Sequence, residues 1–344
     1  MITTLHKIVL SISLFFLLSI IGSTGTLAQI STSAGLGSIG PDFVLKTSPE
    51  IPGPNSNVNA KIESFSTDLH RADITWAVNG VVKKRGVAEL NFSLNTGEIG
   101  SATTLTVTVE TSDGMLLSKS RVFRPGQVDI IWQADSWTPP FYKGFGLPSA
   151  RARITAEALP YILNGKTRVP SSNLNYEWFY DFELQRDSSG IGKNSITLIG
   201  PDLFGAKNLR VKVSTLDNRI SADNQITLQP FSPFPLVWQN KPLSGLDYDH
   251  PVANSITFTD DEISLEAGGI YFPRTHVKNP GLSFRWTLNG KPAIVDETKP
   301  ETLTIRRTEG GGEGRISIDI QDPFDQIISA SKTFIIKATT KNFE

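Results

Sequence analysis

The densest group of side chains with ligand chemistry lies between residues 247 and 262, where Asp247, Asp249, His250, Asp260, Asp261 and Glu262 occur together. Oxygen ligands carried on junction loops can hold calcium and stiffen a multi-module chain. Asp247, Asp249, Asp260 and Asp261 are the calcium candidates. No D-x-D-x-D-G loop accompanies them, and solvated acidic loops are the plainer reading. His70, His250 and His276 are scattered and cysteine is absent, so zinc and thiol chemistry find no support. The chain holds no G-x-S-x-G elbow, no His-Glu-x-x-His helix and no phosphate-binding G-x-x-x-x-G-K-[ST]. Paired carboxylates can be assembled by folding in any protein, but nothing in the spacing points to a glycosidase. A non-catalytic chain without a cofactor is the expectation.

Two further groups read as structure. Gly310-Gly311-Gly312 is expected in a hairpin loop between strands, as a flexible turn. Lys83-Lys84-Arg85 beside Asn79-Gly80 reads as a solvated hairpin tip. With a formal net charge of −1, the chain lacks the concentrated basic face that nucleic-acid binding requires.

The most unusual segment runs from Ser136 to Pro148 and carries Trp137, Phe141, Tyr142 and Phe145 among Pro139, Pro140 and Pro148. Proline offers no ladder hydrogen, so these aromatics cannot all belong to a central strand. They are the interaction candidates. Protruding, they would stack on sugar rings or anchor a protein partner. Alternatively, Trp137 and Phe141 plug the end of a β-sandwich or the joint between modules 1 and 2 defined below. Ile270-Tyr271-Phe272-Pro273 is a smaller cluster with the same plug-like reading.

The elements that position these groups show in a threefold repeat. Ile74-Thr75-Trp76-Ala77-Val78, Tyr176-Glu177-Trp178-Phe179-Tyr180 and Phe284-Arg285-Trp286-Thr287-Leu288 each place a tryptophan at the centre of an alternating strand. Second alternating strands centred on Val107, Val211 and Ile318 follow 31 to 33 residues later. One dry face and one wet face are what an antiparallel sandwich requires. The spacing predicts three modules, at 41–125, 126–229 and 230–338. Expected strands are 58–64, 73–78, 88–94, 103–111 and 117–123 in module 1. In module 2 they are 128–133, 151–158, 174–182, 195–199, 209–215 and 224–228, and in module 3 they are 236–238, 262–266, 282–288, 302–306, 315–321 and 332–337. Asn79-Gly80 and Asp113-Gly114 are expected as type I′ hairpin turns. Asp217-Asn218 occupies the corresponding place in module 2, whereas Asp322-Pro323-Phe324-Asp325 predicts a wider loop. Pro230-Phe231-Ser232-Pro233-Phe234-Pro235 predicts a stiff joint between modules 2 and 3.

Trp76-Ala77-Val78-Asn79-Gly80, Trp286-Thr287-Leu288-Asn289-Gly290 and the paired strands resemble bacterial immunoglobulin-like or PKD-like modules. The resemblance implies an all-β fold of three tandem immunoglobulin-like β-sandwich modules, and it specifies fold rather than activity. The disulfide cysteines of antibody domains are missing, and module 2 lacks the Asn-Gly pair. Residues 131–144 also resemble a segment of exported multi-module proteins from small-genome bacteria, a family without an established activity.

The N-terminus has the layout of a secretory signal: His6 and Lys7, an apolar run over 8–21, then small residues up to Ala28. The run is short for a spanning helix. Cleavage near Ala28 is expected, followed by a flexible leader over 29–40. The alternative is an uncleaved anchor over 8–28, the one route to membrane contact. Residues 339–344 read as a tail. The expected location is therefore periplasmic, cell-surface or extracellular. A semi-rigid three-module rod acting in adhesion, spacing or envelope assembly is the leading expectation, with a protein or envelope component as partner. A carbohydrate-binding protein using the 137–145 loop, or an accessory subunit of a surface appendage or secretion apparatus, are the alternatives.

Overall fold

The computed structural model describes residues 42–140, 142–274, 281–308 and 311–339. The signal segment, the leader, Phe141, His276, Gly310 and the tail from residue 340 lie outside the described residues.

Alternating sequence becomes paired strand in all three modules. Module 1 contains β1 (Val44–Ser48), β2 (Asn57–Glu63), β3 (Asp73–Val78), β4 (Val81–Val87), β5 (Asn91–Asn95), β6 (Thr103–Glu110) and β7 (Leu116–Phe123). Strands β1, β2 and β5 form one sheet, and β4-β3-β6-β7 the other. Module 2 opens with β8 (Gln127–Ala134), β9 (Arg153–Tyr161) and the short hairpin β10 (Leu163–Asn164) and β11 (Thr167–Arg168). It continues through β12 (Leu174–Tyr180), β13 (Glu183–Leu184), β14 (Gly190–Ile191), β15 (Ser195–Ile199), β16 (Lys207–Thr215) and β17 (Ser221–Leu228). Its sheets are β15-β9-β8 and β13-β12-β16-β17, with β14 also on β12.

Module 3 begins with β18 (Phe234–Lys241), β19 (Gly245–Leu246), β20 (Ser255–Phe258) and β21 (Glu262–Ile270). There follow β22 (Ser283–Leu288), β23 (Lys291–Pro292), β24 (Thr302–Arg306), β25 (Gly312–Gln321) and β26 (Ser329–Ala338). Here the sheets are β19-β18-β21-β24 and β20-β26-β25-β22-β23, with β20 parallel to β26. The fold is all-β, built of immunoglobulin-like sandwiches in tandem, with separate cores around Trp76, Trp178 and Trp286.

The repeat spacing is a ladder register. Trp76 stands opposite Val107, Trp178 opposite Val211 and Trp286 opposite Ile318. Opposed residues of an antiparallel pair share a face, and all three tryptophans are at most 2% exposed. A buried indole N–H needs an acceptor. Trp76 donates to the Glu89 carbonyl at 2.8 Å, Trp178 to Lys193 at 3.0 Å and Trp286 to Pro300 at 3.1 Å. Each acceptor lies just before a strand of the facing sheet, β5, β15 or β24. Each tryptophan thus ties the two sheets together as well as filling the space between them.

The turns refine the sequence reading. Asn79 and Gly80 have φ of 49° and 79°, and Asn289 and Gly290 have 51° and 80°, as a type I′ turn requires. The Asn side chain adds a lock, since Asn79 Oδ1 accepts the Thr104 amide and Asn289 Oδ1 the Arg315 amide, both at 2.8 Å. Module 2 makes the same turn without glycine: Asp181 and Phe182 have φ of 50° and 72°. At Asp113-Gly114 only Gly114 has positive φ, and its amide bonds the Thr111 carbonyl at 2.9 Å. That is a type I turn closed by a left-handed glycine, not type I′.

Lys83-Lys84-Arg85 is not a hairpin tip but the middle of β4, an edge strand. Lys84 pairs with Glu89 at 2.5 Å and Arg85 with Asp73 at 2.8 Å, and charges on an edge discourage further pairing. Strand β1 also escapes the sequence reading. Gly311 and Gly312 lie where the chain crosses from β24 to β25, which belong to opposite sheets, so the expected hairpin is absent there. The loop from Asp322 is wide, closed by the Asp322 amide on the Ile328 carbonyl at 2.9 Å.

Candidate functional site at the joint of modules 2 and 3

Strand β21 starts with alternating burial and then loses it, every residue from 267 to 270 being buried. A strand buried on both faces needs cover on its outer side, and module 2 supplies it. After β8 the chain closes a loop in which the Ala134 amide bonds the Gly146 carbonyl at 3.1 Å and the Ser136 hydroxyl bonds Leu147 at 2.7 Å. This loop sets the Trp137 ring against Trp238, at 6.5 Å between centroids, in a small cluster with Ile270, Tyr271 and Leu147. Gly268 makes the approach possible. A Cβ there would stand 2.8 Å from the Trp137 ring and 2.9 Å from that of Trp238.

Backbone pairing closes the joint. Trp137 donates to the Phe272 carbonyl at 2.8 Å, Tyr271 to Trp137 at 2.8 Å and Arg274 to Asp135 at 2.9 Å. The Tyr142 and Tyr271 hydroxyls lie 2.8 Å apart. Burial, then the bond from Tyr142, pushes the Tyr271 phenol up to about 12. Tyr271 has φ of 63°, a strained value for an aromatic residue, and the bonds on either side hold it there. Away from this pairing, Arg151 bridges Asp202 at 2.7 Å and Asp325 of module 3 at 3.2 Å. Ala150 packs into the core of module 3.

The sequence-derived candidates divide accordingly. Trp137 is half-buried in a joint instead of protruding, and that joint is with module 3, not between modules 1 and 2. Phe141 lies outside the described residues. Tyr142 is 42% and Phe145 55% exposed, Phe145 resting against Trp132 with ring centroids 5.3 Å apart. Ile270 and Tyr271 are buried at the same joint, whereas the Phe272 ring is buried in the core of module 3.

The calcium candidates are dispersed. Asp247 is held by Lys241 and His250, each at 2.9 Å, and these bonds, Lys241 first, depress its carboxyl to about 2. Asp261 pairs with Arg307 at 2.9 Å. Among the described residues no three His, Asp or Glu side chains converge as a metal site.

A cleft of about 420 Å³ opens beside Trp137, bounded by Gly268, Leu282, Pro300, Glu266 and Glu301. Burial, with the charge of Glu301 next, holds the Glu266 carboxyl above its usual range, against smaller pulls from Lys299 and the Asn240 amide. Sequence reasoning missed both glutamates, whose spacing resembles any exposed carboxylate. Gly268-Gly269 carried the available signal, since paired glycines inside a strand mark a close approach by another group.

No protein-family model matches the chain, and no curated protein does. Among solved structures, the central fibronectin-III array of RIM-binding protein is 12% identical, with 87% of this chain and 96% of that one covered and a TM-score of 0.29. The fibronectin(III)-like modules of Clostridium thermocellum CbhA are 11% identical over 54% of this chain and 94% of theirs, with a TM-score of 0.26. SGBP-B of the Bacteroides ovatus mixed-linkage glucan utilization locus, in complex with a mixed-linkage heptasaccharide, is 13% identical over 88% and 71%, with a TM-score of 0.22.

Proposed function

We propose that the chain is a non-catalytic exported interaction protein of bacterial, PKD-like immunoglobulin type, a semi-rigid spacer at the cell surface or in the envelope. The supporting observation is the joint of modules 2 and 3, where a loop of one module completes the outer face of a sheet in the other. Domain interfaces within a chain are usually mobile unless they are apolar and well packed; ring packing, backbone pairing and the Arg151 bridge supply that packing here. A spacer transmits position, and a locked joint suits it. The test is protease shaving and fractionation of the producing cell, followed by cross-linking. Accessibility from outside and a cross-linked envelope component are expected; a cytosolic protein, or one with no cross-linked partner, refutes the reading.

The exposure of Tyr142 and Phe145 on a closed loop favours a second reading, binding of a glycan by stacking. Glycan titration of Phe145→Ala separates it, because this substitution leaves the Trp137 joint intact. Undiminished glycan binding by Phe145→Ala, or none by the wild type, counts against it.

A further inference from the structure

We propose that the cleft beside Trp137 is a binding site for a cationic side chain, lysine or arginine, presented by an extended segment of a partner protein. The site is composite: Trp137 comes from module 2 and the remaining walls from module 3, so it exists only while the joint is docked. Its volume of about 420 Å³ lies within the range of small-ligand pockets. An apolar stem would run along Leu282 and Pro300, with the charged head near the carboxylates and the Trp137 ring, a geometry long cationic side chains favour.

Charge decides the class of guest. Three acidic residues elsewhere in module 3 are matched by cations: Asp247 by Lys241, Asp261 by Arg307 and Glu262 by Arg306. Glu266 and Glu301 form no ion pair within 4 Å among the described residues, and the Glu266 carboxylate meets only the neutral Asn240 amide, at 3.5 Å. Burial and the neighbouring charge of Glu301 disfavour the charged form of Glu266, which a cation relieves and a neutral sugar does not. The resident positive charge acting on Glu266 is the exposed Lys299. A guest cation competes with it.

The experiment is calorimetric titration of the full chain at low salt with an end-capped tetralysine peptide, its fully acetylated form, and cellotetraose. Tetralysine binding and no binding of the acetylated peptide are expected. Glu301→Gln weakens binding about tenfold, Lys299→Gln tightens it, and the exposed control Asp249→Asn leaves it unchanged. Equal binding by a folded Glu266→Gln/Glu301→Gln protein, an equal loss in Asp249→Asn, or binding of cellotetraose in place of tetralysine overturns the site. The proposal rests on the docked joint. Absent tetralysine binding with the Tyr271 amide still protected from hydrogen exchange removes this site alone, whereas an unprotected Tyr271 amide removes the joint.

Discussion

The amide of Tyr271 donates to the carbonyl of Trp137 at 2.8 Å, and Trp137 returns a bond to the carbonyl of the next residue, Phe272. Bonds offset by one residue, with positive φ at Tyr271, are those of a G1-type bulge in an antiparallel pair, yet they join segments of two different sandwiches. The ring and the backbone of Trp137 therefore do separate things. The ring covers the outer face of β21, while the backbone holds Tyr271 at a φ it would not adopt alone.

Removing the ring tests the first role. In Trp137→Ala, Trp238 and Gly268 lose their cover, and because Trp137 is half-buried the cost is expected at about 2 kcal/mol, below the range for a fully buried ring. Hydrogen exchange should quicken at Tyr271 and Trp137 and in β21, with β3 and β6 of module 1 unchanged. Wild-type protection throughout would refute the joint.

Adding one carbon at Gly268 tests the same contact from the other side. The Cβ of Gly268→Ala falls 2.8 Å from the Trp137 ring and 2.9 Å from that of Trp238, so one ring must move, at about 1–3 kcal/mol. A double variant with Trp137→Ala should cost less than the sum of the two, because the ring in the way is gone. Strict additivity in urea unfolding would show that the residues do not meet.

These contacts mark where the sequence stopped being legible. The tryptophan strands could be read because an interior side chain repeats every second residue and the ladder register fixes the distance from Trp76 to Val107. Nothing periodic links Trp137 to Gly268; the prolines around Trp137 showed that it lies outside a central strand but not which surface it meets. Glu266 and Glu301 became a pair only when β21 met the loop before β24. In the turn after Trp178, tertiary pairing imposed positive φ on Phe182, a residue whose own preference gave no such sign.

That turn carries a stabilising prediction. Phe182 is 82% exposed, so its ring contributes little burial, while its φ of 72° costs an L-residue about 1–2 kcal/mol. Phe182→Gly removes the strain and adds chain entropy to the unfolded state, an opposing effect of about 0.5–1 kcal/mol. A rise in stability of up to about 1.5 kcal/mol is expected. A lower urea midpoint for the variant would contradict it.

Acid should weaken module 3 through Asp247. Lys241 and then His250 depress its carboxyl from 3.8 to about 2. A depressed folded value stabilises above the unfolded value and is lost as pH falls through the folded one. The difference in urea midpoint between wild type and Asp247→Asn should therefore hold above about pH 4 and shrink toward pH 2. A difference that stays constant over this window would mean that the Lys241 and His250 contacts do not form in solution.

The last prediction separates the two jobs of the core tryptophans. Trp178→Phe keeps an aromatic ring in the centre of module 2 but leaves the Lys193 carbonyl without the donor it has at 3.0 Å. Lys193 lies two residues before β15, whose sheet faces β12 across the core. If the indole only fills volume, a small cavity should loosen both sheets alike. If it also ties them, β15 should lose more protection from hydrogen exchange than β16, which stays paired with the whole length of β12. The expected cost is about 2–3 kcal/mol, part cavity and part unsatisfied carbonyl, against about 3–5 kcal/mol for Trp178→Ala. Equal loss at β15 and β16 would reduce Trp178 to a space-filler, and a fully stable Trp178→Ala protein would remove it from the core.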